Sequence, residues 1–352
     1  MSTKQNDDAS SSKSIKTTDN NGPPPWSNHQ DLLCEIMMKL ELADFFAFGK
    51  VCKSWRSLAL AHKNKYMCSR QPMSVTLPTD ITTECYFRDI FEGRKIKAII
   101  PHSTGSTCVG LTCGYLIFYS RIGRDFWLVN PFTSHELHFP NFPLEVNTDL
   151  SIFRGILVFS PSVSQWAFVF SHKFSKKISF SLSGNQASWY HLTSEFSIVD
   201  IHSFRGKIYT LTFCGRLFEV GLDSKPTLTP LGLKNFPKRQ LFRLEFVCSG
   251  KNLFVLDMVT AYLYEVYEID LEKMEWVLTQ KSTVEYAFFV GDIKSSAAIN
   301  PDTWSGRGMK YMRVDYLNNL ERSKLKGRLL IADMWYLNFP HDCVEVNTPQ
   351  LQ

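Results

Sequence analysis

The chain has 352 residues, 44% apolar and 14% aromatic, with a formal net charge of +5. That is enough apolar material for a substantial core in one large domain or two smaller ones. Lysine and arginine are scattered instead of forming a block of five or six like charges, so nucleic acid is not implied. No apolar run approaches the eighteen or so residues of a membrane span, and Met1 leads into a polar tract rather than a signal core, so the expectation is a soluble protein kept inside the cell, in cytoplasm or nucleus. The nine cysteines are odd in number, scattered, and without a C-x-x-C pair, a pattern of reduced thiols packed as small apolar groups. No N-x-[ST] sequon occurs.

Residues 1–25 are a polar tail closed by the proline run of "GPPPW", too poor in large apolar side chains to offset the entropy of ordering. A helical segment follows over 26–65. Leu32, Leu33, Ile36, Met37 and Leu40 recur at helical steps and predict a first amphipathic helix. Asp44 is placed to cap a short second helix carrying Phe45, Phe46 and Phe48, which Gly49 can interrupt. "VCKSWRSLA" at 51–59 puts Val51, Trp55, Leu58 and Ala59 on one face of a third helix running to about His62. About forty residues make a marginal core, so apolar surface is left over. Periodicity alone divides that surface between capping the domain behind it and meeting a partner.

After a linker at 66–72 the period changes. Residues 73–340 hold short runs of Val, Ile, Phe, Tyr and Trp bounded by Gly, Asn, Pro, Asp and Ser, and a C-terminal tail, 341–352, completes the chain. A phrase recurs: "CGYLIFYS", "RGILVFS", "RGKIYTLT" and "SGKNLFVLD", with glycines at 114, 155, 206 and 250, spaced 41, 51 and 44 residues apart. That interval suits four-stranded propeller blades. Within one unit the strands read "YLIFYS", "FWLVN" and "SHELHF"; within another, "NLFVLD", "AYLYEVYEID" and "EWVLTQ". With a first unit around 73–103 and a last from about 285, the expectation is a mainly β chain: a small three-helix module followed by a β-propeller-like domain of five or six blades.

No phosphate loop G-x-x-x-x-G-K-[ST] or nucleophile elbow G-x-S-x-G is present. His135 and His138 would share a helical face, but three apart in a strand they point to opposite faces, and no metal site is expected of them. "SGRGMK" at 305 reads as a turn, and "ERSKLKGR" at 321–328 as a solvated loop or edge strand. No catalytic residue or cofactor is assigned.

Residues 26–62, with "DLLCEIMMKL", "ADFFAFGKVCKSW" and above all "VCKSWRSLA", resemble an F-box, the module that docks onto the Skp-type adaptor of cullin-based ubiquitin ligases. The Leu-Pro usual before the first helix is replaced by "NHQ". Residues 73–340, through "CVGLTCGYLIFYS", "FWLVNPFTSHELHFP" and "LFVLDMVTAYLYEVYEIDLEKMEWV", are similar to the KIB-type, propeller-like C-terminal domain of a large plant family of F-box proteins. The resemblance implies a substrate-recognition subunit of a Skp–cullin–F-box ligase. Leu32, Leu33, Ile36, Leu40, Val51, Cys52 and Trp55 would serve the adaptor, and the propeller would recruit a target protein. Two alternatives stay open: a degenerate F-box protein binding its ligand without a ligase, and a propeller enzyme with a site in its central channel.

Overall fold

The computed structural model describes residues 29–303 and 329–336, apart from 78–82, 90–93, 143, 145–148, 161–164, 184–187, 224, 238–242, 259–263, 279–284, 292, 294–295 and 333. The expected tails, "SGRGMK" and "ERSKLKGR" lie outside the described residues. The chain divides into two compact units, residues 1–60 and 61–352. Three helices come first: α1 (Gln30–Lys39), α2 (Leu42–Val51) and α3 (Lys53–Cys68). Asp44 sits in the first turn of α2, where its charge suits the helix dipole, but Glu41 holds the cap position and makes no side-chain cap bond. Gly49 does not interrupt α2. The break falls at Cys52, whose extended backbone ends one helix before the next begins. "VCKSWRSLA" is therefore a helix end, a corner and a helix start. α3 outruns the expected end at His62 and carries Tyr66 and Met67, both buried, into the second unit.

The second unit is a five-bladed β-propeller. Blade one contains β1 (Met73–Thr76), β2 (Glu84–Asp89) and β3 (Lys95–Ile99). Blade two is β4 (Ser106–Thr112), β5 (Tyr115–Ser120), β6 (Asp125–Val129) and β7 (Glu136–Phe139). Blade three is β8 (Phe153–Ser160), β9 (Gln165–His172), β10 (Lys177–Leu182) and β11 (Tyr190–Thr193). Blade four is β12 (Ile198–Phe204), β13 (Lys207–Thr212), β14 (Leu217–Gly221) and β15 (Thr227–Leu231). Blade five is β16 (Leu244–Cys248), β17 (Leu253–Met258), β18 (Tyr264–Asp270) and β19 (Glu275–Leu278). Strands β20 (Ala287–Gly291), β21 (Ala297–Ile299) and β22 (Leu329–Ala332) join the fifth sheet through one parallel pair, Cys248 with Ala297. The ring closes with β23 (Trp335–Tyr336), which pairs with β1 and supplies the first blade's fourth strand.

Period-2 alternation explains why the inner strands look continuously apolar. Phe153, Leu157, Phe168 and Phe170 of blade three pack with Ile117, Phe126 and Phe139 of blade two, while their neighbours Ile156, Val158, Ala167 and Val169 pack with Ile201, Ile208 and Val220 of blade four. Blade four turns Tyr209 and Leu211 onward to Phe246 and Val255 of blade five. An inner strand thus buries both faces, whereas outer β15 is largely exposed.

The glycine repeat needs one correction. Cys113–Gly114 and Arg205–Gly206 are two-residue hairpin loops with φ of 47° and 78°, and 50° and 74°, the left-handed pairing of a type I′ turn. Gly155 instead lies inside β8, where an added Cβ would come within 3.0 Å of Phe168 Cε2 and 3.2 Å of Ile117 Cδ1. It permits close approach of blades and marks no turn, which is why the spacings of 41 and 51 straddle the regular interval.

Candidate functional site

In the helical unit, Leu33 and Met37 turn inward from α1 and are buried with Leu42, Phe45 and Phe48 of α2 and Ala59 of α3. The opposite outcome holds for Leu32, Ile36, Val51 and Leu60, which are 55%, 46%, 62% and 60% exposed. Leu32 and Ile36 are one turn apart on the same face of α1. The seven residues singled out from the sequence therefore separate. Leu33 belongs to the core, Leu40 is half-buried at the end of α1, and Leu32, Ile36, Val51 and Cys52 face outward. Leu60 was missed because it falls beyond the diagnostic string.

Trp55 does both tasks. Its ring stacks on buried Phe48 at 4.3 Å and 22°, yet part of it stays accessible. Two hydrogen bonds fix the corner beside it: the Trp55 amide donates to Cys52 Sγ at 3.5 Å, and Arg56 Nε donates to the Gly49 carbonyl at 3.3 Å. Cys52 thus caps α3 with sulfur. The Trp55 amide bond holds the Cys52 thiol below its ordinary range, aided by Ser54 and opposed by burial.

In the propeller, charge collects on the inner strands β8, β12 and β16, which adjoin one another around the centre. Arg154, Asp200 and Glu245 are each at least 96% buried. Arg154 Nε stands 3.7 Å from Asp200 Oδ1. Asp200 Oδ2 accepts the Phe246 amide at 2.7 Å, joining blades four and five, and Oδ1 accepts the Ile201 amide at 2.9 Å. Glu245 accepts the Ser296 hydroxyl. Lys173 shares this neighbourhood: burial, then the charges of Arg154 and Arg243, lower its pKa against Asp200 and Glu245. Sequence reading passed over these groups, although a single charge inside each apolar run ("FRGILVFS", "IVDIHSF", "LEFVC") was the available signal.

His135 and His138 do not converge. His135 Nδ1 meets the Tyr115 hydroxyl at 3.0 Å, and His138 Nε2 meets Asp125 Oδ2 at 2.9 Å. His138 and His102 stack on the two sides of Trp127, at 4.0 and 3.7 Å. Among the described residues no group of three or more His, Cys, Asp or Glu is arranged to hold a metal, and no helix is long and apolar enough to cross a membrane.

A family model described as a KIB1-4 beta-propeller matches residues 86–311, and one described as an F-box domain matches residues 29–66. No curated protein matches the chain. Solved structures that resemble it include the dihydro-heme d1 dehydrogenase NirN in complex with DHE, at 13% identity and TM-score 0.36, covering 62% of this chain and 43% of that one. Another is the WD40 domain of SCAP from fission yeast, at 12% identity and TM-score 0.35, covering 58% and 54%. A protein of unknown function from Bacteroides caccae has 9% identity and TM-score 0.34, covering 65% and 99%. The chain spans less than half the length of the first of these.

Proposed function

Since the chain belongs to the KIB1-4 beta-propeller family and carries an F-box before its propeller, we propose that it is the substrate-recognition subunit of a Skp–cullin–F-box ubiquitin ligase, without catalytic residues of its own. The F-box binds a Skp-type adaptor and, through it, a cullin; the propeller recruits a protein for ubiquitination in the cytoplasm or nucleus. One observation carries the reading. A module with a small core leaves Leu32, Ile36 and Val51 about half-exposed or more, and aliphatic side chains displayed this way gain free energy only when another surface covers them. Cys52 and Trp55 fix the corner beside Val51, while Leu33 and Leu40 support the display from within.

The test is co-purification of the full chain with a Skp-type adaptor. Ile36→Asp with Val51→Asp alters exposed positions, so the helices stay folded while binding falls. An anchor worth about 2 kcal/mol corresponds to roughly thirtyfold in affinity. Leu33→Ala is a poor probe because Leu33 is a core residue. Full adaptor binding by the double variant would overturn the assignment. The ligase-independent reading is favoured by the "NHQ" that stands where Leu-Pro is usual and by the absence of a side-chain cap bond at His29; adaptor binding without a cullin in the complex would select it.

A further inference from the structure

The propeller's aromatic residues are largely consumed between blades, but three gather at a surface groove of about 350 Å³ lined by Phe174, Phe196, Ser197, Phe213 and Cys214. Phe174 lies in the β9–β10 connection and Phe213 in the β13–β14 connection. Their rings are 55% and 51% exposed and meet edge to face at 6.3 Å. The floor is built in advance. The Phe174 amide donates to the Ile198 carbonyl at 2.6 Å and the Phe213 amide to the Ser197 carbonyl at 2.9 Å, so one segment pins both loops. Phe174 holds φ at 68°, a left-handed conformation uncommon for an aromatic residue, inside a turn closed by the Ser175 amide donating to the His172 carbonyl at 2.9 Å.

Charge decides the occupant. The segments framing the groove, 172–177, 194–197 and 213–216, hold Lys173, Lys176, Lys177 and Arg216 against one carboxylate, Glu195. Arg216 lies 4.3 Å over the Phe196 ring and Lys173 Nζ 5.4 Å over the Phe174 ring, so both cations border the aromatic surface. A shallow trough with half-exposed rings does not enclose a small molecule; it suits an extended chain. Resting on the receptor reading above, we propose that the recruited protein docks in this groove through an extended segment in which large apolar side chains alternate with carboxylates.

The probe is a fluorescent twelve-residue peptide alternating Asp with Leu and Phe, and a twin with Lys in place of Asp. Anisotropy measures binding to the full chain, and peptide-resolved maleimide modification of exposed Cys214 reports occupancy of the groove. The acidic peptide is expected to bind, to slow Cys214 modification at least fivefold, and to weaken as salt rises from about 0.1 to about 1 M and the screening length falls from about 10 to about 3 Å. The lysine twin is expected to bind at least tenfold more weakly, and Phe174→Ser and Phe213→Ser each to abolish protection while adaptor binding persists. Equal binding of the twin, unprotected Cys214, or no binding by either peptide would overturn the proposal. Proximity labelling under proteasome inhibition separates the two levels. Targets retained by Phe174→Ser place docking elsewhere and leave recruitment standing; no propeller-dependent target for the wild type removes the receptor reading and this one with it.

Discussion

Replacing Asp200 by Ala should be among the most damaging single changes in the propeller. The carboxylate is fully buried and faces Arg154, which is 4% exposed, across 3.7 Å. It also accepts the Phe246 amide of the next blade at 2.7 Å. Truncation leaves a buried guanidinium without its counter-charge and a buried amide without its acceptor. Breaking such a pair from one side costs about 3–5 kcal/mol, and the orphaned amide lies within that figure, since the terms share one site. At about 2–4 °C per kcal/mol for a domain of this size, thermal unfolding should fall by on the order of 10 °C. The assay is unfolding by heat and by urea for the wild type, Asp200→Ala, Arg154→Met, and Arg154→Met with Asp200→Ala. The double variant removes both charges and should recover at least half of the loss. A single variant losing less than about 1 kcal/mol, or a double variant whose loss equals the sum of the singles, would refute the argument that the pair is a coupled inter-blade tie.

Gly155→Ala, tight against Phe168 and Ile117, should cost about 1–3 kcal/mol by overpacking two blades, whereas Gly105→Ala meets nothing within 4 Å and carries only the strain of a φ of 70°; urea midpoints decide the order. Trp335 is 1% exposed, donates to the Val290 carbonyl at 3.2 Å and packs on Phe289 at 5.0 Å. Trp335→Ala should therefore cost about 3–5 kcal/mol and open the ring at β1, seen as faster amide exchange over 73–76. Burial pushes the thiols of Cys85 and Cys108 up to about 12. Iodoacetamide should modify Cys52 in the folded protein, with a midpoint below the ordinary thiol value of 9.0, and reach buried Cys85 only after unfolding. Cys85 and Cys108 have folded values above the unfolded value of 9.0, so their contribution is intact below pH 9 and is lost toward pH 12, at up to about 1.4 kcal/mol per pH unit for each thiol.

Much of this was legible in the residues because local rules agreed with the fold. The strands of "YLIFYS", "FWLVN" and "SHELHF" fall on β5, β6 and β7, since alternation and turn residues fixed both their extent and their order. The helix corner was illegible: Val51 through Ala59 keeps a helical period across a break, and only the extended Cys52 backbone reveals it. Gly155 looked like Gly114 and Gly206 because sequence gives no φ. Leu33 and Leu32 are chemically identical neighbours, and which of them faces inward is decided by the tilt of α1 on α2 and α3. The charged centre was illegible for a different reason: its members are 45 or 46 residues apart, one per blade, and only ring closure brings them together.

The two units solve opposite packing problems, and this shapes where contact with other molecules falls. Each inner propeller strand sends alternate side chains to the blade before and the blade after, so apolar surface is used up within the ring and the outer strands are free to be polar. An exposed aromatic such as Phe174 then stands out from its background, since no blade requires it. The helical unit has no such closure. Three short helices bury one side chain from each pair of neighbours, Leu33 but not Leu32, Met37 but not Ile36, and the remainder has no place to go within forty residues. The closed ring thus shows apolar surface only locally, at the aromatic groove of Phe174 and Phe213, whereas the open helical module displays the aliphatic face of Leu32, Ile36 and Val51.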